Sequence, residues 1–76
     1  MNDIELKNKA TAWLMEKSIE YKTRPQKFTA SEVADAVGGR FNRIGHVVDD
    51  ILLELHARKI SINYRKINNR IYFEII

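Results

Sequence analysis

Apolar residues recur along the first third of the chain at the spacing of one helix face. Between residues 3 and 22 they are separated by three, four or seven positions, which places them in one stripe. Asn2 or Asp3 is placed to cap the start of this helix, and Pro25 prevents its continuation. Trp13 lies within the stripe, so we expect it in the core and not on a surface that stacks nucleobases. The stripe consists of Leu6, Ala10, Trp13, Leu14 and Tyr21.

A second, short helix is specified by signals at both ends. Thr29 is its predicted N-cap and Glu32 completes a capping box, in which each side chain accepts a hydrogen bond from the other residue's backbone N–H. Phe28 before the cap and Val33 after it have the spacing of a hydrophobic staple. Gly38 is placed to end the helix in the left-handed conformation, which glycine adopts without steric cost. The predicted inner face is Ala30, Val33, Ala34 and Val37.

A longer helix is predicted from about Phe41 to about Arg58, with apolar residues on one side and polar residues on the other. Arg40 precedes it and has no side-chain oxygen with which to cap it. Gly45 lies inside and costs the helix about 1 kcal/mol relative to alanine. Glycine here permits close approach of a backbone, either of a neighbouring helix or of a DNA strand. The predicted apolar face is Phe41, Ile44, Val48, Ile51, Leu52 and Leu55, and the opposite face is Asn42, Arg43, His46, Asp49, Asp50 and Leu53.

The last segment alternates apolar and polar residues as two β-strands do. Asn68 and Asn69 separate the two runs and suit a two-residue type I′ turn, because asparagine tolerates the positive φ that both positions require. This turn predicts the register, and the apolar residues of both strands then share one side. The predicted opposite pairs are Ile62 with Ile75, Tyr64 with Phe73, Arg65 with Tyr72 and Lys66 with Ile71.

Composition indicates one small domain spanning residues 1–76. The chain has no cysteine for a disulfide or a thiolate metal site, so its 45% apolar residues must supply the stability. No apolar run approaches the roughly 18 residues of a membrane span, and the acidic, polar start is unlike a secretion signal, so we expect a cytoplasmic protein. His46 and His56 lie on different faces of one helix, and no serine stands beside a plausible base. We therefore expect no enzyme, no metal site and no cofactor.

The net charge of +3 is concentrated in the second half of the chain. Residues 1–37 carry six basic and six acidic side chains, whereas residues 38–76 carry seven basic and four acidic ones. This excess favours an anionic partner for the C-terminal half. Two close-set helices with polar and basic groups at the start of the second are typical of chains that enter a DNA groove.

The predicted order is helix, a short extended piece near Phe28, helix, helix, strand, strand. This α+β order resembles the winged helix-turn-helix family of small bacterial and phage transcription regulators. The likeness is sharpest over residues 32–38, EVADAVG, which are similar to that family's second helix and turn. Ile44, Val48 and Ile51 fall where the family has core residues of its recognition helix. The resemblance implies three helices followed by a hairpin wing, and double-stranded DNA as the partner.

The resemblance also implies which residues contact DNA. The helix from Phe41 would enter the major groove, where Arg43 can donate two hydrogen bonds to guanine and Asn42 can pair with adenine. Arg65 faces Tyr72, whose ring can hold the guanidinium by stacking, and the basic wing tip suits phosphate or minor-groove contact. The expected DNA-binding residues are Arg40, Asn42, Arg43, His46, Arg65, Lys66, Asn68, Asn69 and Arg70.

Other interpretations of these residues remain open. The polar helix residues are consistent with a solvated face, and the wing cations with a tip that prevents edge pairing. Asp49 and Asp50 would repel phosphate, and with exposed Leu53 they favour a winged-helix module that binds a protein partner and not DNA. In the DNA-binding case we expect a homodimer, because one copy has few base-reading groups. The candidate dimer surfaces are the final strand and three residues of the first helix, Ile4, Met15 and Ile19.

Overall fold

The computed structural model describes residues 1–20 and 23–76, and three helices and three strands lie within these ranges. Three helices precede a C-terminal β-hairpin, and a short strand between the first two helices joins the same sheet. This is the predicted α+β arrangement of a winged helix. None of the described helices is long and apolar enough to cross a membrane. The elements are α1 (Asp3–Glu20), β1 (Gln26–Thr29), α2 (Ala30–Val37), α3 (Phe41–Ala57), β2 (Ile62–Ile67) and β3 (Arg70–Ile75).

Both ends of α2 have the predicted geometry. The Thr29 hydroxyl accepts a hydrogen bond from the Glu32 backbone N–H at 3.0 Å, and the Glu32 carboxylate accepts one from the Thr29 N–H at 3.1 Å. Gly38 has a φ of 78° and ends the helix in the left-handed region. The N–H of Gly39 then donates to the carbonyl of Ala34 at 2.9 Å, which closes the end of the helix. These bonds set the short turn that leads into α3.

The hairpin also forms as predicted. Asn68 and Asn69 have φ values of 50° and 66°, so both turn positions lie in the left-handed region that a type I′ turn requires. The predicted register is confirmed, and a slip by one residue would have moved every apolar side chain to the other face of the sheet. The observed opposite pairs include Ile62 with Ile75, Tyr64 with Phe73, Arg65 with Tyr72 and Lys66 with Ile71.

The final strand, β3, lies in the middle of the sheet. It pairs with β2 on one side and with β1 on the other, where Phe28 is opposite Phe73 and Lys27 is opposite Glu74. The sequence pattern predicted an extended piece near Phe28, but it did not predict which strand this piece pairs with. Because both edges of β3 are already hydrogen-bonded, a dimer that pairs through an edge of the final strand is excluded.

The helices cover the apolar face of the sheet, and the core lies between them. The stripe of α3 is turned relative to the prediction, since Val47 is buried while Phe41 is 62% exposed. The prediction that Phe41 lies on the apolar face with the residues that pack into the core is therefore wrong. α1 packs along the Val47 side of α3, whereas Phe41 is the first residue of its helix and lies beyond the core. The buried apolar residues are Leu6, Ala10, Leu14, Ala30, Val33, Ala34, Ile44, Val47, Ile51, Leu55, Ile62, Phe73 and Ile75.

Trp13 packs against this core, as its place in the helical stripe predicted. Its ring meets that of Phe28 edge to face, with centroids 5.1 Å apart and an interplanar angle of 80°. This arrangement is favourable for two aromatic rings, and here it joins α1 to β1. Trp13 is thus occupied within the fold and is not a platform for nucleobases. The prediction that Tyr21 continues the stripe lies outside the described residues.

Candidate nucleic-acid interface

A cleft of about 340 Å³ lies between the first turns of α3 and the hairpin. The capped start of α2 forms its base, α3 forms one wall, and the wing forms the other. The walls are largely apolar, and the polar groups are hydroxyls, amides and one guanidinium, with no carboxylate among the residues that line it. The lining residues are Thr29, Ala30, Ser31, Phe41, Asn42, Gly45, Tyr64, Asn69, Arg70 and Ile71.

Three of the predicted DNA-binding residues meet at this cleft although they are distant in the chain. Asn42 comes from the first turn of α3, and Asn69 and Arg70 come from the wing turn. The wing turn connects β2 to β3. Because the two strands pair up to Ile67 and Arg70, the turn extends beyond the core to the edge of the cleft. Arg70 and Lys66 are exposed, and neither forms an ion pair with any described residue. Their charge is therefore available to an anionic partner.

Arg65 is not among the residues that line the cleft, and it has a partner that the sequence did not reveal. Its guanidinium donates to Glu74 at 3.4 Å, and the Lys27 ammonium is 3.9 Å from the same carboxylate. Glu74 is only 8% exposed, between a cation on each neighbouring strand. The sequence predicted that Tyr72, which is directly opposite Arg65, would hold this guanidinium. The structure shows that Arg65 instead interacts diagonally with Glu74, so its positive charge is partly compensated.

Arg43 lies on the flank of α3 that faces the start of α1. Its Nη2 donates to Asp3 Oδ2 at 2.7 Å and to Oδ1 at 2.9 Å, and its Nε donates to Oδ1 at 3.2 Å. The carboxylate therefore occupies the edge of the guanidinium formed by Nε and Nη2. The donors of Nη1 take no part in this contact, and they form the outer end of the side chain. Sequence reasoning missed this pair because Asp3 and Arg43 are forty residues apart.

The remaining predicted residues lie near the wing or near the contact between α1 and α3. Arg40 and Arg43 border a hollow against residues 1–4, whereas His46 borders a groove between α1 and α3. Asn68 is exposed at the wing turn beside Asn69. The nine predicted residues thus divide between the wing side and the α1 side of α3, and they do not form one continuous cluster.

The start of α3 lacks a side-chain cap, as the identity of Arg40 predicted. Arg40 has extended backbone angles, with φ −102° and ψ 133°, and its side chain makes no capping hydrogen bond. The backbone N–H of Arg43 donates to the Arg40 carbonyl at 3.0 Å, which tightens this first turn. The side chain of Arg40 is left exposed beside the first turn of α3.

Two ionisable groups respond to their surroundings. Burial raises the pKa of the Tyr64 hydroxyl, which lies at the wall of the cleft. The pKa of Glu54 is lowered, first because the Lys7 ammonium donates a hydrogen bond to it, and further through Arg58. Glu54 on α3 is thus balanced by a cation from α1. Asp49 and Asp50 are exposed, and neither forms an ion pair with a residue in the described ranges.

Sequence reasoning missed the apolar part of the cleft. Phe41 was predicted on the apolar face of α3. For Gly45 two explanations remained open, close packing of a helix and close approach of a DNA strand. The two residues are separated by one helical turn, a spacing that places them on the same side of α3. That spacing, together with an apolar residue at the very start of the helix, is the signal that identifies them.

Comparison of this chain with protein-family models, with curated proteins and with solved structures found no match.

Proposed function

We propose that this protein is a sequence-specific double-stranded DNA-binding transcription regulator that acts in the cytoplasm. The observation that supports it most is the cleft where Asn42 of α3 meets Asn69 and Arg70 of the wing. Amide and guanidinium groups are donors and acceptors that proteins use on base edges and phosphates. The absence of a carboxylate among the lining residues makes the cleft suitable for a polyanion.

In this proposal α3 enters the major groove. The side of α3 that carries Asn42, His46 and Leu53 is exposed, so the helix is accessible from its first turn to its last. An α-helix with side chains is about 10–12 Å wide, which matches the roughly 12 Å width of the major groove. Asn42 would pair with adenine through its amide, and Arg70 and Lys66 would contact phosphates or the minor groove.

Arg43 would read a guanine while Asp3 holds it. The contact with Asp3 uses Nε and Nη2, and the donors of Nη1 remain for an acceptor of guanine, O6 or N7. Asp3 would then reduce the number of conformations that the long side chain must lose on binding. In this arrangement the ion pair positions the base-reading group and is retained in the complex.

We also propose that two copies bind neighbouring half-sites. A helix that offers few base-reading groups gains specificity when a second copy doubles the number of contacts. Ile4 and Ile19 of α1 are 74% and 75% exposed and remain the candidate dimer surface, whereas Met15 packs partly against the core. A monomeric mass at high concentration, together with one copy per bound duplex, would exclude the dimer.

A protein-interaction module is the second candidate, and one observation favours it. Ile4 and Leu53, 74% and 71% exposed, border a groove between α1 and α3 that also contains Asp50 and His46. Two large apolar side chains beside an acidic residue are suited to a protein surface rather than to phosphate. In this alternative the α1 side of α3 binds a protein, and the wing cations serve solubility.

One experiment separates these candidates. Duplexes that bind the purified chain are selected from a random library, and their affinity is then measured at several salt concentrations. A DNA reader that contacts phosphates loses affinity linearly on a logarithmic scale as salt rises, and it enriches a defined sequence. Failure to enrich any sequence, with no salt-dependent binding to any duplex, would exclude the DNA reader and favour the protein-interaction module.

A further inference from the structure

Gly45 is an exposed glycine within α3, and the fold itself does not explain it. A glycine inside a helix is unfavourable relative to alanine, because its backbone loses more conformational freedom. A Cβ atom built on Gly45 would meet no atom of the described residues within 4 Å, apart from its chain neighbours and the adjacent backbone of its own helix. Close packing against another helix of this chain, one of the two explanations that the sequence left open, is therefore excluded. What remains is a requirement imposed from outside the chain.

Gly45 borders the cleft between α3 and the wing, and Phe41 lies one turn before it on the same side. The Phe41 side chain is 62% exposed, although it is among the largest apolar groups in the chain. Tyr64 and Ile71 form the facing wall. This side of α3 therefore presents a phenyl ring next to a stretch of bare helix backbone.

We propose that Phe41 and Gly45 form an apolar base-reading element, with Phe41 against the C5-methyl group of a thymine. This inference rests on the proposed DNA-binding function and extends it to a base preference. The methyl group of thymine is the apolar group that base pairs present in the major groove, and phenylalanine is among the side chains that contact it. Gly45 lets the helix backbone approach the base edges by the width of a missing side chain. The polar border of the cleft, Asn42, Asn69 and Arg70, supports DNA as the occupant, because it contains a cation and no acid.

The first test compares the parent with Gly45→Ala on the selected duplex. Gly45→Ala should melt at a higher temperature, because alanine favours the helix and its methyl group meets open space. The same variant should bind the preferred duplex about tenfold more weakly, since the methyl group holds the helix away from the bases. A role confined to folding cannot produce higher stability together with weaker binding.

Thr11→Val is the matched control for the effect of stability alone. Thr11 is buried in α1, away from the cleft, and its hydroxyl has no hydrogen-bond partner among the described residues. This variant should also melt higher and should bind the duplex like the parent. Weaker binding by Thr11→Val would indicate that stabilisation itself impairs binding, and would overturn the interpretation of Gly45.

The second test replaces each thymine of the selected duplex in turn by deoxyuridine, which removes only the methyl group. Replacement of thymine by deoxyuridine at one position of each half-site should lower the affinity of the parent. The same replacement should leave the affinity of Phe41→Ala unchanged. A duplex in which no methyl group contributes would overturn the assignment of Phe41 without any protein variant. Gly45→Ala binding within about twofold of the parent would overturn the inference and leave the proposed function standing. Absence of salt-dependent binding by the parent would instead refute the proposed function.

Discussion

Arg70 and Arg65 provide a matched pair of charge removals within one hairpin. Both residues are exposed arginines near the wing turn, and each substitution by alanine removes one positive charge. Arg70 borders the cleft without an ion pair to a described residue, whereas Arg65 does not line the cleft and is 3.4 Å from Glu74. The two variants therefore separate the effect of position from the effect of net charge.

The expected magnitude follows from counterion release. Each phosphate contact contributes about 0.9 to the slope of log affinity against log salt. Loss of one contact by Arg70→Ala should therefore reduce the slope by about 0.9, which at about 0.1 M salt corresponds to roughly eightfold weaker binding. The loss should be similar for all duplexes, because phosphates carry no sequence information. Arg65→Ala should change the slope by less than half as much, since its charge is already partly compensated by Glu74.

The assay is fluorescence anisotropy with labelled duplexes at four or more salt concentrations, and circular dichroism confirms that each variant is folded. Selected and unrelated duplexes are titrated in parallel. An Arg65→Ala slope change equal to that of Arg70→Ala would refute the reasoning, because the position of the charge would then be irrelevant. A loss by Arg70→Ala that occurs only on the selected duplex would reassign Arg70 from phosphate to base contact.

Four further predictions concern the fold and the site. Thr29→Ala should lower the free energy of unfolding by about 1 kcal/mol through loss of the cap, and thermal melts that match the parent would contradict the role of the capping box. Thr11→Val should raise the stability by about 1 kcal/mol in chemical denaturation, because the buried Thr11 hydroxyl has no hydrogen-bond partner among the described residues and valine has the same shape. The raised pKa of Tyr64 means that the folded state holds the hydroxyl proton more tightly than the unfolded chain does. The free energy of unfolding should therefore fall as the pH rises above about 10. Below about pH 10 this group should leave the free energy of unfolding unchanged. Tyr64→Phe should lose that part of the alkaline dependence in urea titrations at each pH. Arg43→Ala should weaken binding to the selected duplex by about 1–3 kcal/mol and relax the preference for guanine, and Asp3→Ala should reduce the ratio of specific to non-specific affinity without abolishing binding. A uniform gain in affinity by Asp3→Ala on all duplexes would show that Asp3 only repels phosphate.

The elements with local causes could be predicted from short stretches of the chain. The capping box depends on Thr29 and Glu32, three residues apart, and both hydrogen bonds form as predicted. The register of the hairpin follows from Asn68 and Asn69, which adopt the positive φ values that few other residues tolerate. Alternation over the two strands then identified the buried face. In each case the physical cause lies within a few residues, so a short stretch of sequence is enough to predict the element.

Packing of the elements against one another sets which charges are paired within the described residues and which part of α3 faces the cleft. Asp3 reaches Arg43 because α1 packs along α3, and Lys27 reaches Glu74 because β3 lies in the middle of the sheet. The helical pattern placed Phe41 on the same face as the core residues. Periodicity shows which way a side chain points around the helix axis, but it does not show how far along the helix the core extends. Packing of distant elements sets these contacts, and one-dimensional spacing contains no information about which elements meet. Two features could therefore be recognised only once the three helices and the sheet were in place: the exposed phenyl of Phe41, and the wing cations that form no ion pair with a described residue.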